Sequence, residues 1–239
     1  MNTQKIVSPA EWVQARQQLL AKEKELTRMQ DELSRQRREL PWERVEKRYV
    51  FEGPEGRETL AELFAGRGQL AVYHFMFGPE WREGCPSCSM AADHFDRSAV
   101  HLARRDVTLV AVSRAPLARI EEFRKRMGWS FKWVSSAGND FNFDHHVSFT
   151  PQEREQRKVY YNYGLQEFPS EEAHGLSVFA KDAGGEVFHT YSTYGRGLED
   201  LLGVYTWLDF TPKGRDEADL PYPMAWVRHH DRYAEEARS

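Results

Sequence analysis

The sequence predicts an α/β protein: a central mixed sheet with flanking helices, plus a long N-terminal helix and one elaborated loop. Three observations predict it. The apolar run Leu70–Phe77 has the length of a buried strand and leads directly into Cys85-Pro86-Ser87-Cys88 and a helical stretch. A second apolar run, Val107–Ser113, follows that stretch, as a parallel neighbour joined by a crossover helix would. Further on, Gly184-Gly185 separates two strand-like runs, Leu176–Lys181 and Glu186–Tyr194, which reads as a hairpin.

The elements follow in order. Ser8-Pro9-Ala10-Glu11 is a capping box with proline at the first helical position, and no Gly or Pro interrupts the chain from there to Leu40. Trp12, Leu19, Leu26, Leu33 and Leu40 recur every seventh residue, but Ala15, Lys22, Met29 and Gln36 make the companion seam only half apolar. The helix has two candidate partners, its own domain and a second subunit, so a homodimer is possible. Val45, Tyr49, Val50 and Phe51 with the turn Gly53-Pro54-Glu55-Gly56 suggest a short strand and turn, and Thr59–Phe64 one helical segment. After the strand to Phe77 come a helix over Cys85–Arg105, the strand Val107–Ser113, a helix over Leu117–Met127 stopped by Gly128, and a third strand over Phe131–Ser135. Periodicity fails from Ala137 to Glu172, read as the elaborated loop. The hairpin is followed by a helix through Leu198, Leu201, Leu202 and Tyr205. The domains expected are an extension over 1–41, an α/β domain over 42–211 and a tail over 212–239.

Composition narrows the function. The chain has 239 residues with 33 basic against 37 acidic side chains and a formal charge of -4, with no single-sign block suited to a phosphate backbone, so nucleic acid is not expected as a partner. No apolar stretch approaches ~18 residues, and Met1-Asn2-Thr3-Gln4-Lys5 leads into a charged helix, so neither a membrane span nor an export signal is expected. A cytoplasmic location follows as an expectation. There a lone adjacent cysteine pair is better suited to catalysis or metal binding than to a structural staple. Structural zinc wants four ligands, usually two such pairs, and the chain has only two cysteines.

The dithiol itself carries the chemistry. A helix starting at Cys85 places that sulfur at a helix N-terminus, where free N–H groups and the dipole favour thiolate over thiol. The thiolate attacks in disulfide exchange, and a second thiol three positions on closes the ring within one turn. The order β-α-β-α-β, then hairpin and helix, with C-x-x-C opening the first helix, is the thioredoxin-like arrangement.

Longer motifs are more specific. Tyr73–Pro79, Gly84–Cys88, Val110–Leu117, Met127–Trp129, Trp133–Ser136, Phe188–Ser192 and Tyr222–Val227 resemble the bacterial domain of unknown function 899 family over nearly the whole chain. The resemblance implies a thioredoxin-like fold and a dithiol-disulfide oxidoreductase, with Cys85 attacking, Cys88 resolving, no organic cofactor and a protein or small-molecule disulfide as substrate. Two features depart from thioredoxins. Pro86-Ser87 stands between the cysteines in place of Gly-Pro, and Ala173-His174-Gly175-Leu176 lacks the proline that faces the dithiol there. The segment from His174 to Asp182 is similar to Sco-type copper chaperones, which implies an alternative: copper held by Cys85, Cys88 and His174, although those proteins place three residues between their cysteines where this chain has two. Pro79–Cys85 lacks the P-x-x-x-T-x-x-C pattern of peroxiredoxins. Arg82 and Arg114 are read as solvated or as neighbours of the thiols. Asp144, His145 and His146 are a poor joint metal site, because adjacent side chains diverge. Trp81, Tyr160, Tyr161 and Tyr163 suit either a substrate wall or the core.

Overall fold

The computed structural model describes residues 4–233, which divide after Pro41 into two compact units. The first unit is the helix α1 (Pro9–Arg38). Ser8 caps it through the expected capping box: its hydroxyl accepts from the Glu11 N–H while the Glu11 carboxylate accepts from the Ser8 N–H. Arg35, Arg37 and Arg38 in the last turn complement the negative end of the dipole.

The second unit contains an eight-stranded sheet. Its strands are β1 (Glu43–Arg44), β2 (Val50–Gly53), β3 (Gly56–Thr59), β4 (Gln69–His74), β5 (Val107–Ser113), β6 (Lys132–Ser135), β9 (Gly175–Lys181) and β10 (Val187–Tyr194). β7 (Val159–Tyr161) and β8 (Gly164–Gln166) form a separate hairpin. The helices are α2 (Pro86–Phe95), α3 (Ala99–Ala103), α4 (Leu117–Arg126), α5 (Phe141–Asp144), α6 (Pro151–Glu155) and α7 (Gly203–Asp209). The sheet order is β1-β10-β9-β4-β5-β6-β2-β3. β4, β5 and β6 are parallel, while β9 joins the other side of β4 antiparallel and β10 pairs back on β9. This is the thioredoxin-like arrangement, enlarged by β6, the β2–β3 hairpin and β1.

Alternation along the central strands divides the core. Leu70, Val72, Val110, Val112, Val134 and Phe179 face Phe51, Leu63, Phe64 and Phe141 on one side of the sheet. Tyr73, Ala111 and Trp133 face α2 and α4 on the other, joined by Phe75, Phe77, Phe95, Phe123 and Trp129. Each such aromatic or aliphatic side chain contributes about 1.5–3 kcal/mol by leaving water. Beyond β4, Phe75 and Phe77 stay tied to the next strand through Phe75 N–H to Val112 O and Ala115 N–H to Phe77 O, 2.9 and 2.8 Å.

Several elements differ from the sequence reading. The helix expected over Cys85–Arg105 breaks into α2, a 3-10 turn at Asp96–Ser98 and α3. Asp96 is the reason: it turns inward and its carboxylate accepts from the N–H groups of Ser130 and Phe131 and from the Ser130 hydroxyl. Thr59–Phe64 is not one helix but the end of β3 followed by a 3-10 turn at Glu62–Phe64. The region read as a loop contains α5, α6 and the β7–β8 hairpin. The segment after Thr211 is built of turns pinned to the domain. Glu217 accepts from the Tyr205 hydroxyl, the Trp226 indole and the Met224 N–H.

Candidate active site

Cys85 is the N-cap of α2, with φ −56° and ψ 130°, and Pro86 opens the first turn. Its own N–H is taken by Met76 O at 3.0 Å, which fastens the helix start to the segment leaving β4. Cys85 is partly exposed as a residue, while Cys88, one turn inside, is buried. The two thiols are unequal for reasons that follow from this placement. The Cys88 thiol donates to the Cys85 sulfur, and the N–H groups of Cys88 and Ser87 with the Ser87 hydroxyl add to it. Together they outweigh burial and bring the Cys85 pKa down to about 7. Burial and the neighbouring Cys85 push Cys88 well above an ordinary thiol, although the Tyr73 hydroxyl bonds to its sulfur. One sulfur is thus set up as a thiolate near neutrality and the other as a protonated partner.

Both cysteines line a small pocket of about 50 Å³. Its other walls include Tyr73, Met76, Leu198, Leu202, Met224 and His174. His174 lies on the turn before β9, in the place where thioredoxins carry their proline, and its Nε2 faces Gly195 O at 3.4 Å. Cys85, Cys88 and His174 therefore share one pocket, as the copper alternative requires. Among the described residues, however, no group of three His, Cys, Asp or Glu side chains is placed to hold a metal ion.

The residues around Cys85 hold it firmly. Arg119 donates to Pro79 O and Trp81 O at 2.7 and 2.8 Å, fixing the loop that precedes the dithiol. His229 Nε2 donates to Gly84 O at 2.8 Å. Arg126 binds both Glu83 and Asp231, and Arg232 also pairs with Glu83, so the C-terminal segment is clasped to the residues just before Cys85. Neither Met224 nor His229 was given a role from the sequence: Met224 entered only within the motif Tyr222–Val227, and His229 lay in a segment read as a tail.

The remaining residues singled out from the sequence disperse. Arg82 is exposed, whereas Arg114 is neither solvated nor thiol-bound: it pairs with the buried Glu172 at 2.9 Å and lies over the Phe143 ring. Trp81 packs on the dithiol-side core and donates to Glu171. Tyr161 is buried, with its hydroxyl between His174 O and the Gly195 N–H. His145 turns inward against His74 and Phe141, while His146 meets the Tyr160 ring edge-on, the divergence expected of neighbours. Tyr160, Tyr163, His145 and His189 line a larger cleft of about 710 Å³ that contains no cysteine. From its wall a hydrogen-bonded chain runs inward, His189–Ser192–Ser177–His74, with links of 2.7, 2.8 and 2.8 Å.

Fold and site together define a thioredoxin-like protein with a dithiol at the start of its first crossover helix. The chain belongs to a bacterial family of proteins of unknown function, DUF899, whose model matches residues 1–233. No curated protein matches it. Among solved structures it is similar to the peroxidoxin BcpB from Mycobacterium tuberculosis, with 14% identity, a TM-score of 0.46 and coverage of 69% of this chain and 94% of that one. It is also similar to the bacterioferritin comigratory protein of Xanthomonas campestris, with 12% identity, a TM-score of 0.43 and coverage of 65% and 88%. The mitochondrial 2-Cys peroxiredoxin of Plasmodium falciparum gives 12%, 0.43, 70% and 93%.

Proposed function

We propose that the protein is a dithiol-disulfide oxidoreductase. The Cys85 thiolate attacks one sulfur of a substrate disulfide, and the other substrate sulfur leaves. Cys88 then attacks Cys85 in the mixed disulfide, releasing the second substrate thiol and closing the Cys85–Cys88 bond. The protein dithiol supplies the two electrons. The observation that carries this reading is the inequality of two neighbouring thiols: a half-buried Cys85 held near pKa 7 by hydrogen bonds, and a buried Cys88 held protonated beside it. A thiol with pKa close to ambient pH combines a large thiolate fraction with retained nucleophilicity. The apolar walls of the pocket, Leu198, Leu202, Met76 and Met224, favour a disulfide flanked by apolar groups.

Trapping tests the reading. Cys88→Ser removes the resolving thiol, so mixed disulfides on Cys85 accumulate in cells and survive non-reducing separation, while Cys85→Ser/Cys88→Ser captures nothing. Equal, negligible capture by both variants would contradict it.

A further inference from the structure

We propose that His174 is the proton acceptor of the resolving step, taking the Cys88 proton as Cys88 attacks Cys85. The inference rests on the dithiol reading above and assigns the base which that reading leaves unnamed. Cys88 needs one. Its side chain is buried and its thiol is held in the protonated form, so its proton has no direct route to bulk water.

The pocket supplies few candidates. Tyr73 bonds to the Cys88 sulfur, but burial pushes its phenol well above its ordinary value, which suits it to donate to a thiolate and not to accept a proton. Cys85 is occupied in the bond under attack. His174 is the one imidazole or carboxylate among the residues lining the pocket. Its Nε2 faces Gly195 O, and because a carbonyl only accepts, Nε2 carries the hydrogen and Nδ1 is left as the basic nitrogen. The Tyr161 hydroxyl donates to His174 O at 2.7 Å and accepts from the Gly195 N–H at 2.9 Å, so one phenol anchors both sides of that contact and fixes the ring's tautomer. Burial lowers the His174 pKa, which keeps the imidazole neutral and able to accept. The pocket's space of about 50 Å³ exceeds the ~10–15 Å³ that one water needs, so water fits there to carry the proton from Cys88 to His174.

The step balances. The Cys88 S–H proton passes to His174 Nδ1, and the sulfur's electron pair forms the Cys85–Cys88 bond. The bond between Cys85 and the substrate sulfur breaks, its pair leaves with the substrate as thiolate, and that thiolate is protonated by His174 or by water.

A single-turnover experiment separates the steps. The reduced full-length protein is mixed with 5,5′-dithiobis(2-nitrobenzoic acid), whose first thionitrobenzoate is released by attack of Cys85 and whose second is released by Cys88. His174→Gln and His174→Ala should leave the first phase unchanged and slow the second by about 10²-fold or more. Added imidazole should restore the second phase in His174→Ala, which a loss of packing alone would not allow. A wild-type second phase in His174→Gln overturns the proposal, as does a slow phase in His174→Ala that imidazole does not relieve. If wild-type protein releases even the first thionitrobenzoate no faster than an ordinary thiol, the dithiol reading itself falls and the proposal falls with it.

Discussion

Glu172 buries its carboxylate to 1% exposure between Arg114 and Ser148, two residues before His174. Burial dominates over both partners and lifts its pKa to about 7. The folded protein therefore keeps this proton up to about pH 7, whereas the unfolded chain gives it up near the ordinary carboxylate value of 4.5. Stability from this group is fully present below the unfolded value and is lost as pH rises through the folded one, by on the order of 3 kcal/mol. Urea midpoints measured from pH 4.5 to 8 should thus fall with pH more steeply for wild type than for Glu172→Gln, and parallel profiles would contradict the assignment. The sequence signalled residues unevenly. Cys85 and Cys88 were legible because no other cysteine competes and a strand precedes them. Glu172 was not, since a carboxylate in a charged, aperiodic stretch reads as solvated until Arg114 and Ser148 are seen to enclose it.

The start of α2 depends on how tightly the preceding loop packs. Gly84 lies against the aromatic core, and a Cβ there would meet Phe75 Cε1 at 2.6 Å and Phe123 Cε1 at 2.8 Å. Those rings are held by Trp129 and Trp133, so they have little room to yield. Gly84→Ala should cost about 1–3 kcal/mol and shift Cys85 relative to the N–H groups of Ser87 and Cys88, returning its pKa toward an ordinary thiol. Thermal unfolding and pH-dependent alkylation check this, and a variant unchanged in both would refute it. Elements with strong local signals were read well. The parallel strands are apolar runs, and α4 ends at Gly128, φ +68°, with the N–H groups of Gly128 and Trp129 bonded to Lys125 O and Arg124 O. The β7–β8 hairpin was missed because its turn places Asn162 and Tyr163 at φ +51° and +62°. A tyrosine is an unusual occupant of that region, so the pattern lacks the Asn-Gly signature of such turns. The break at Asp96 was missed for a related reason: only the approach of Ser130 and Phe131 in three dimensions gives that carboxylate a role inside the fold.

For the second unit as a whole, the fold assigns different roles to the two faces of one sheet. The face carrying α2 and α4 supports the dithiol on an aromatic bed of Phe75, Phe123, Trp129 and Trp133. The opposite face packs the buried His74 and the half-buried His145 beside Phe141 and Phe179. The α/β class and the helix-terminal dithiol follow from local patterns. The closure of the site by Met224 and His229, more than 130 residues away in sequence, is long-range packing that no local pattern encodes. What the arrangement produces is inequality between two sulfurs within four residues, and this is most directly measured by alkylating the reduced protein across pH 5–10 with a small haloacetamide and quantifying each cysteine by mass spectrometry. Cys85 should titrate with a midpoint near pH 7, and Cys88 should stay unmodified in the native protein throughout. Two cysteines reacting at similar rates, both with midpoints near the ordinary thiol value of about 8.5, would contradict the account.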